Sequence, residues 1–121
     1  MILQEFYELI SSKEQDGLLL TTLRINNEHP LYNGHFPNRP VTPGVVLMHL
    51  FKEEAMRRTG NELQLVRANN VKFIAVFDPG QTPELLLESK LEVSGEFVKL
   101  NGVARTENGI VLKIQALYKT L

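Results

Sequence analysis

The sequence predicts an α+β fold in which an antiparallel sheet wraps around one buried helix. Three observations lead there. The run Val45, Val46, Leu47, Met48, Leu50 and Phe51 is apolar on every side at helical spacing, the pattern of a helix enclosed by other structure rather than laid on a surface. Several later segments alternate apolar and polar residues with period two, as half-buried strands do. Turn signals at Ser94-Gly95-Glu96 and Asn108-Gly109 join those segments as hairpins, which makes the sheet antiparallel.

In chain order, Ile2, Phe6, Leu9 and Ile10 recur near helical spacing, so residues 2–10 read as a short amphipathic helix. Ser11 to Gly17 is polar and reads as a turn. Leu18 to Asn26 alternates as a first strand. From His29 the chain becomes proline-rich: Pro30, Pro37, Pro40 and Pro43 each fix φ and push the preceding residue towards extended geometry, giving a stiff crossing. Gly44 opens the helix, which becomes charged from Lys52 to Arg58 and so should finish in water, with Gly60 at its end. Gln64 to Asp78 reads as a long strand closed by Pro79-Gly80, followed by strands at Glu84 to Val93, Phe97 to Thr106 and Ile110 to Lys119. A type I′ turn is expected at Asn108-Gly109, where both residues tolerate positive φ.

The 121 residues suit one domain, taken as residues 1–121, with 43% hydrophobic and 22% charged residues. A formal net charge of −1 gives no basis for nucleic-acid binding. With no cysteine there is no disulfide framework, no thiolate nucleophile and no Cys metal site, a composition that fits a cytoplasmic chain. Glu5 and Glu8 interrupt the N-terminal apolar run, which is therefore read as neither a signal peptide nor a membrane span. His29, His35, His49 and Glu53 lack the spacing of a metal motif, and no phosphate loop, serine elbow or nucleotide fingerprint is present, so neither metal nor cofactor is expected.

The stretch NGHFPNRPVTPGV resembles the GHFP-x-x-P-x-x-PGV signature of the 3-hydroxyacyl-[acyl-carrier-protein] dehydratases (FabZ/FabA-like) of fatty acid synthesis. Gly34, His35, Phe36, Pro37, Pro40, Pro43, Gly44 and Val45 match in identity and spacing. Lys72-Phe73 and Pro79-Gly80 are similar to a second family stretch, and the order of elements agrees from about Leu18 to Tyr118. The resemblance implies a hotdog fold, and a homodimer, with possible higher assembly, whose active sites lie between protomers. It implies dehydration of 3-hydroxyacyl thioesters on acyl carrier protein to trans-2-enoyl thioesters, with no cofactor and no membrane insertion. Removing the C2 proton, protonating the departing hydroxyl and stabilising enolate charge need a base, an acid and hydrogen-bond donors. By resemblance His35 is central to the proton transfers and the Gly44 N–H is the oxyanion donor, while Phe36, Pro43, Val45 and Glu53 contact substrate.

One departure stands out. The family has Glu or Asp five residues after that glycine, and this chain has His49. Glu53, one turn further along, could orient His49 and favour its imidazolium, whereas apolar Val45, Met48 and Leu50 would favour neutral imidazole. Glu53, Glu54, Arg57 and Arg58 otherwise read as a solvated helix end, and His29 as a loop or capping residue. Lys52, Arg57, Arg58 and Arg39 are the cations an acidic carrier protein would meet. Family members with a longer N-terminal segment use it to help close the acyl tunnel, a place held here by Met1 to Gly17, which leaves chain length open. The competing functions are thioester hydrolysis, for which Glu53 or Glu54 would activate water, and a non-catalytic acyl-carrier-binding or partner subunit.

Overall fold

The computed structural model of the chain describes residues 5–33 and 41–121. Its elements are β1 (Tyr7–Gln15), β2 (Leu18–Ile25), a 3-10 turn (Pro30–Tyr32), α1 (Gly44–Thr59), β3 (Leu63–Phe73), β4 (Glu84–Ser94), β5 (Phe97–Thr106) and β6 (Gly109–Thr120). The strands form a six-stranded sheet in the order β1-β2-β4-β5-β6-β3. Every neighbouring pair is antiparallel. This is the wrapped-helix arrangement expected from the sequence.

Alternation explains the central strands. On β2, β4, β5 and β6 the residues turned towards α1 are the buried ones, including Leu23, Ile25, Leu85, Leu87, Leu100, Ala104, Leu112, Ile114 and Tyr118. They meet Val46, Leu47, Leu50, Phe51 and Ala55 of the helix in one core. Phe51 is fully buried, and its ring fills the space above Gly102 of β5, where an added Cβ would lie 2.6 Å from Phe51 Cε1 and 3.1 Å from Ile114 Cγ2. Gly102 is therefore a packing requirement, since a side chain there would overlap the buried Phe51 ring and crowd Ile114.

The N-terminal segment departs from expectation. Tyr7–Gln15 is a strand, not part of a helix, and Ser11 to Gln15 continues it instead of turning. Glu5 has φ 59°, which no right-handed helix accommodates. A bulge between Leu9 and Ser11 inserts Ile10, and β1 is exposed along almost its whole length, so neither face imposes a period of two. The turn into β2 is Asp16-Gly17, with φ of 54° and 78°, the signature of type I′. At the other end of the sheet the type I′ turn expected at Asn108-Gly109 is shifted by one residue. Thr106 pairs with Gly109, so Glu107 and Asn108 form the loop and only Gly109 takes positive φ, 125°.

The strand expected over residues 64–78 ends at Phe73. The amides of Ile74 and Ala75 both reach Val111 O, at 2.8 and 3.2 Å, which breaks the ladder and lets buried Phe77 enter the core. The helix is also not enclosed on all sides. One sheet covers the face bearing Phe51, while Val45 stays 58% exposed. Beside it the edge strand β3 and the segment after it leave Leu65, Val66, Phe73, Ile74 and Val76 largely exposed. His29 behaves as a cap, its Nδ1 accepting from Leu31 N at 3.0 Å.

Because an added Cβ would overlap the fully buried Phe51 ring, Gly102→Ala should lower unfolding free energy by about 1–3 kcal/mol, the usual cost of overpacking a core. Chemical denaturation of the two proteins reads this directly, and an unchanged midpoint would mean that the ring can slide.

Candidate active site

The start of α1 is built by its flanking residues. Pro43 is the N-cap, with φ −62° and ψ 143°, and its own side chain offers no capping hydrogen bond. The first amides with backbone acceptors are those of Val46 and Leu47, both on Pro43 O. The Gly44 amide thus lies at the positive end of the helix dipole, the place suited to a developing oxyanion. The space left by the missing Gly44 side chain is already occupied: an added Cβ would be 2.4 Å from Cε1 of Phe73. The glycine is required by the Phe73 ring of β3 in the first instance, whatever else approaches the helix start.

Val45, Met48, His49 and Lys52 face Leu65 of β3 and Ile114 and Tyr118 of β6 across a cleft of about 180 Å³. Larger grooves of about 480 and 360 Å³ lie on the outer face of the sheet, and among the described residues neither is lined by a histidine. Of the residues picked out from sequence, Pro43, Gly44, Val45, His49 and Glu53 therefore come together along one helix. His35 and Phe36 lie outside the described residues, as does Arg39.

His49 Nε2 is 3.1 Å from Glu53 Oε2, the i,i+4 contact anticipated from spacing, and both side chains are largely buried. Two effects compete on the imidazole. Burial among apolar neighbours lowers its pKa below the ordinary 6.5, the Glu53 carboxylate raises it, and Lys52 lowers it again; the net direction is down. The neutral ring is favoured, so the apolar surroundings outweigh the carboxylate. An ionised carboxylate only accepts hydrogen bonds, so the neutral ring must carry its proton on Nε2 beside Glu53. Nδ1 is then the ring atom left to accept a proton.

The charged end of the helix is not simply solvated. Glu54 is 1% exposed, turned inward by its place one turn after Leu50. Its Oε1 receives Arg57 Nη2 at 3.3 Å, and Oε2 has no hydrogen-bond partner among the described residues. Arg58 is paired with Glu14 of β1 at 2.8 Å. Of the cations offered to a carrier protein, Arg57 and Arg58 are thus engaged within the chain. Sequence reasoning missed Tyr7, whose hydroxyl lies 2.5 Å from Glu53 Oε1. The Asp16-Gly17 pair before Leu18 was the available signal, since a hairpin turn there requires a strand on its N-terminal side.

Comparison with known proteins agrees with this architecture. A 3-hydroxyacyl-[acyl-carrier-protein] dehydratase FabZ of Paracidovorax citrulli is 28% identical over 99 residues, covering 73% of this chain and 66% of that protein, just under two thirds. The FabZ of Caldicellulosiruptor bescii is 27% identical over 131 residues, covering 98% of this chain and 86% of the relative. Among solved structures, the dehydratase heterocomplex ApeI:P from Xenorhabdus doucetiae superposes with a TM-score of 0.78 at 18% identity, over 93% of this chain and 97% of that one. A hypothetical thioesterase with coenzyme A from Streptococcus pneumoniae gives a TM-score of 0.69 at 12% identity, over 99% and 91%. At these identities the structural likeness concerns the fold, a hotdog. The model of the ApeI-like family, described as ApeI dehydratase, matches residues 11–107, well over half of the sequence, and the chain belongs to that family of hotdog dehydratases.

Proposed function

We propose that this protein dehydrates 3-hydroxyacyl thioesters carried on acyl carrier protein, giving trans-2-enoyl thioesters and water, without a cofactor. The observation that carries the reading is His49, which lines the cleft beside the start of α1 and is paired behind it with Glu53. In this reading the Gly44 N–H donates to the thioester carbonyl oxygen, which raises the acidity of the C2 proton. His49 takes that proton on Nδ1 and becomes an imidazolium paired with Glu53. The C2 electrons form the double bond, the C3–O bond breaks, and the hydroxyl leaves with a proton from His35. Atoms and charge balance once the two histidines exchange a proton through solvent. Pro43 and Val45 contact the acyl chain in this reading, a role proposed from the family resemblance for Phe36 as well, and the whole chain acts as one hotdog domain.

Hydrolysis is less well supported. Neither Glu53 nor Glu54 is among the described residues lining the cleft: Glu53 is turned to His49 and Tyr7, and Glu54 is buried against Arg57, which gives a water-activating carboxylate no support. The exposed apolar set of Val45, Leu65, Val66, Phe73, Ile74 and Val76 flanks the cleft and favours a second copy of the chain as its cover. A homodimer completes the pocket in this reading. Location in the cytoplasm accords with a carrier-protein substrate. Among the described residues, no helix is long and apolar enough to cross a membrane.

Mass-spectrometric turnover of 3-hydroxyacyl carrier-protein thioesters of several chain lengths should show loss of water, with rates about 10²–10⁴ lower in His35→Ala and His49→Ala. Intact substrate, or release of free acid alone, would count against dehydration by the isolated chain. The acid limb of kcat/KM should lie below pH 6.5, because His49 acts neutral and its pKa is lowered. Glu53 raises that pKa, so Glu53→Gln should move the limb to still lower pH; a shift upward would contradict the pairing. Light scattering should give twice the chain mass, and Val66→Glu on the exposed edge should yield monomer with little turnover; an active monomer would refute the shared pocket.

A further inference from the structure

The hydrogen bonds around His49 do not end at Glu53. Glu53 Oε2 meets His49 Nε2 at 3.1 Å, and Oε1 meets the Tyr7 hydroxyl at 2.5 Å. The same hydroxyl receives Arg57 Nη1 at 2.6 Å, and Arg57 Cζ lies 5.7 Å from the centroid of the Tyr7 ring. The other guanidinium nitrogen, Nη2, reaches buried Glu54 at 3.3 Å. Four of these residues, His49, Glu53, Glu54 and Arg57, lie on α1, and Tyr7 comes from the start of β1.

The direction of every bond in this chain is determined by chemistry. Arg57 can only donate, and an ionised Glu53 can only accept. The Tyr7 hydroxyl has a single proton. It must accept from Arg57 with its lone pair and give that proton to Glu53. Burial, with Glu53 adding to it, pushes the Tyr7 pKa up to about 12, so the phenol keeps this proton throughout the neutral range. Both carboxylate oxygens of Glu53 are then assigned, one to Tyr7 and one to His49, and the carboxylate cannot turn without losing a donor.

We propose that Tyr7 and Arg57 are positioning residues that hold the Glu53 carboxylate in place and thereby lock His49 in the Nε2–H tautomer, leaving Nδ1 as its basic atom. Neither touches the reacting atoms in this scheme. Glu54 acts one step further back by anchoring Arg57 from the core. Among the described residues the other groups facing His49 do not compete for the role: Leu65 and Ile114 are apolar, and Tyr118 makes no hydrogen bond to the imidazole. Lys52 bears on His49 only as a nearby charge of the wrong sign for an acceptor. The catalytic consequence rests on the dehydratase reading above; the tautomer lock does not.

The test is NMR of the full chain labelled with ¹⁵N-histidine, comparing native protein with Tyr7→Phe, which keeps the ring, and with Arg57→Met, which keeps the aliphatic stem. His49→Ala assigns the resonance. The native His49 should show the Nε2–H pattern. Tyr7→Phe should move it to a mixture of tautomers and lower kcat about tenfold with KM changed less than twofold; Arg57→Met should do the same more weakly. An unaltered tautomer pattern in Tyr7→Phe would overturn the proposal even if turnover fell. A tautomer change in a protein that dehydrates none of the substrates would uphold the lock and count against the dehydratase reading instead.

Discussion

The rotation of α1 about its own axis governs the rest of the molecule, and it is set by the contact between Phe51 and Gly102. A fully buried ring seated where β5 has no side chain admits only a narrow range of helix orientations. With about 100° between successive residues, fixing Phe51 against the sheet carries His49 to nearly the opposite side of the helix. That side looks towards the β3 edge of the sheet, where the cleft opens. The cleft with Leu65 and Tyr118, the exposure of Val45 and the i,i+4 contact to Glu53 follow from the same rotation. The core and the candidate site are therefore two faces of one packing decision.

On the open side, apolar surface and charge work against each other in a useful way. Burial favours neutral imidazole at His49, whereas Glu53 favours the imidazolium. The outcome is a base that is free to accept a proton and has an anion waiting beside it when it does. A carboxylate at position 49, as in the resembling family, would deliver a different balance, since burial raises the pKa of an acid and lowers that of an imidazole.

Residues far from the cleft contribute through the strand that carries them. β1 has little buried surface of its own, yet Phe6 just before it is fully buried and stacks on Tyr32 with ring centroids 5.8 Å apart. This anchor and the ladder to β2 place Tyr7 over the second half of α1, where it reaches both Glu53 and Arg57. An edge strand that looks dispensable for the core thus joins the electrostatics of the site.

Much was legible from local pattern alone. The alternating strands, the helix from Gly44, the hairpin at Gly95 and the His49–Glu53 spacing depend on period and short-range geometry, which a linear sequence displays directly. The GHFP-type signature pointed to the family by the same token, although His35 and Phe36 lie outside the described residues. What the chain could not display was anything set by contacts between distant segments. The bulge at Ile10 disguised a strand as a helix because neither of its faces is buried. Gly44 read as the start of the helix and, by resemblance, as an oxyanion donor, and the immediate neighbour of its Cα proved to be Phe73, which meets it only when β3 crosses the helix start. Glu54 looked like surface charge until the helix rotation turned it inward. Secondary structure and the family motif are properties of neighbours in sequence, and the sequence determined them; the state of His49, the burial of Glu54 and the partnership of Tyr7 depend on desolvation and through-space contact, which exist only once the sheet has closed on the helix.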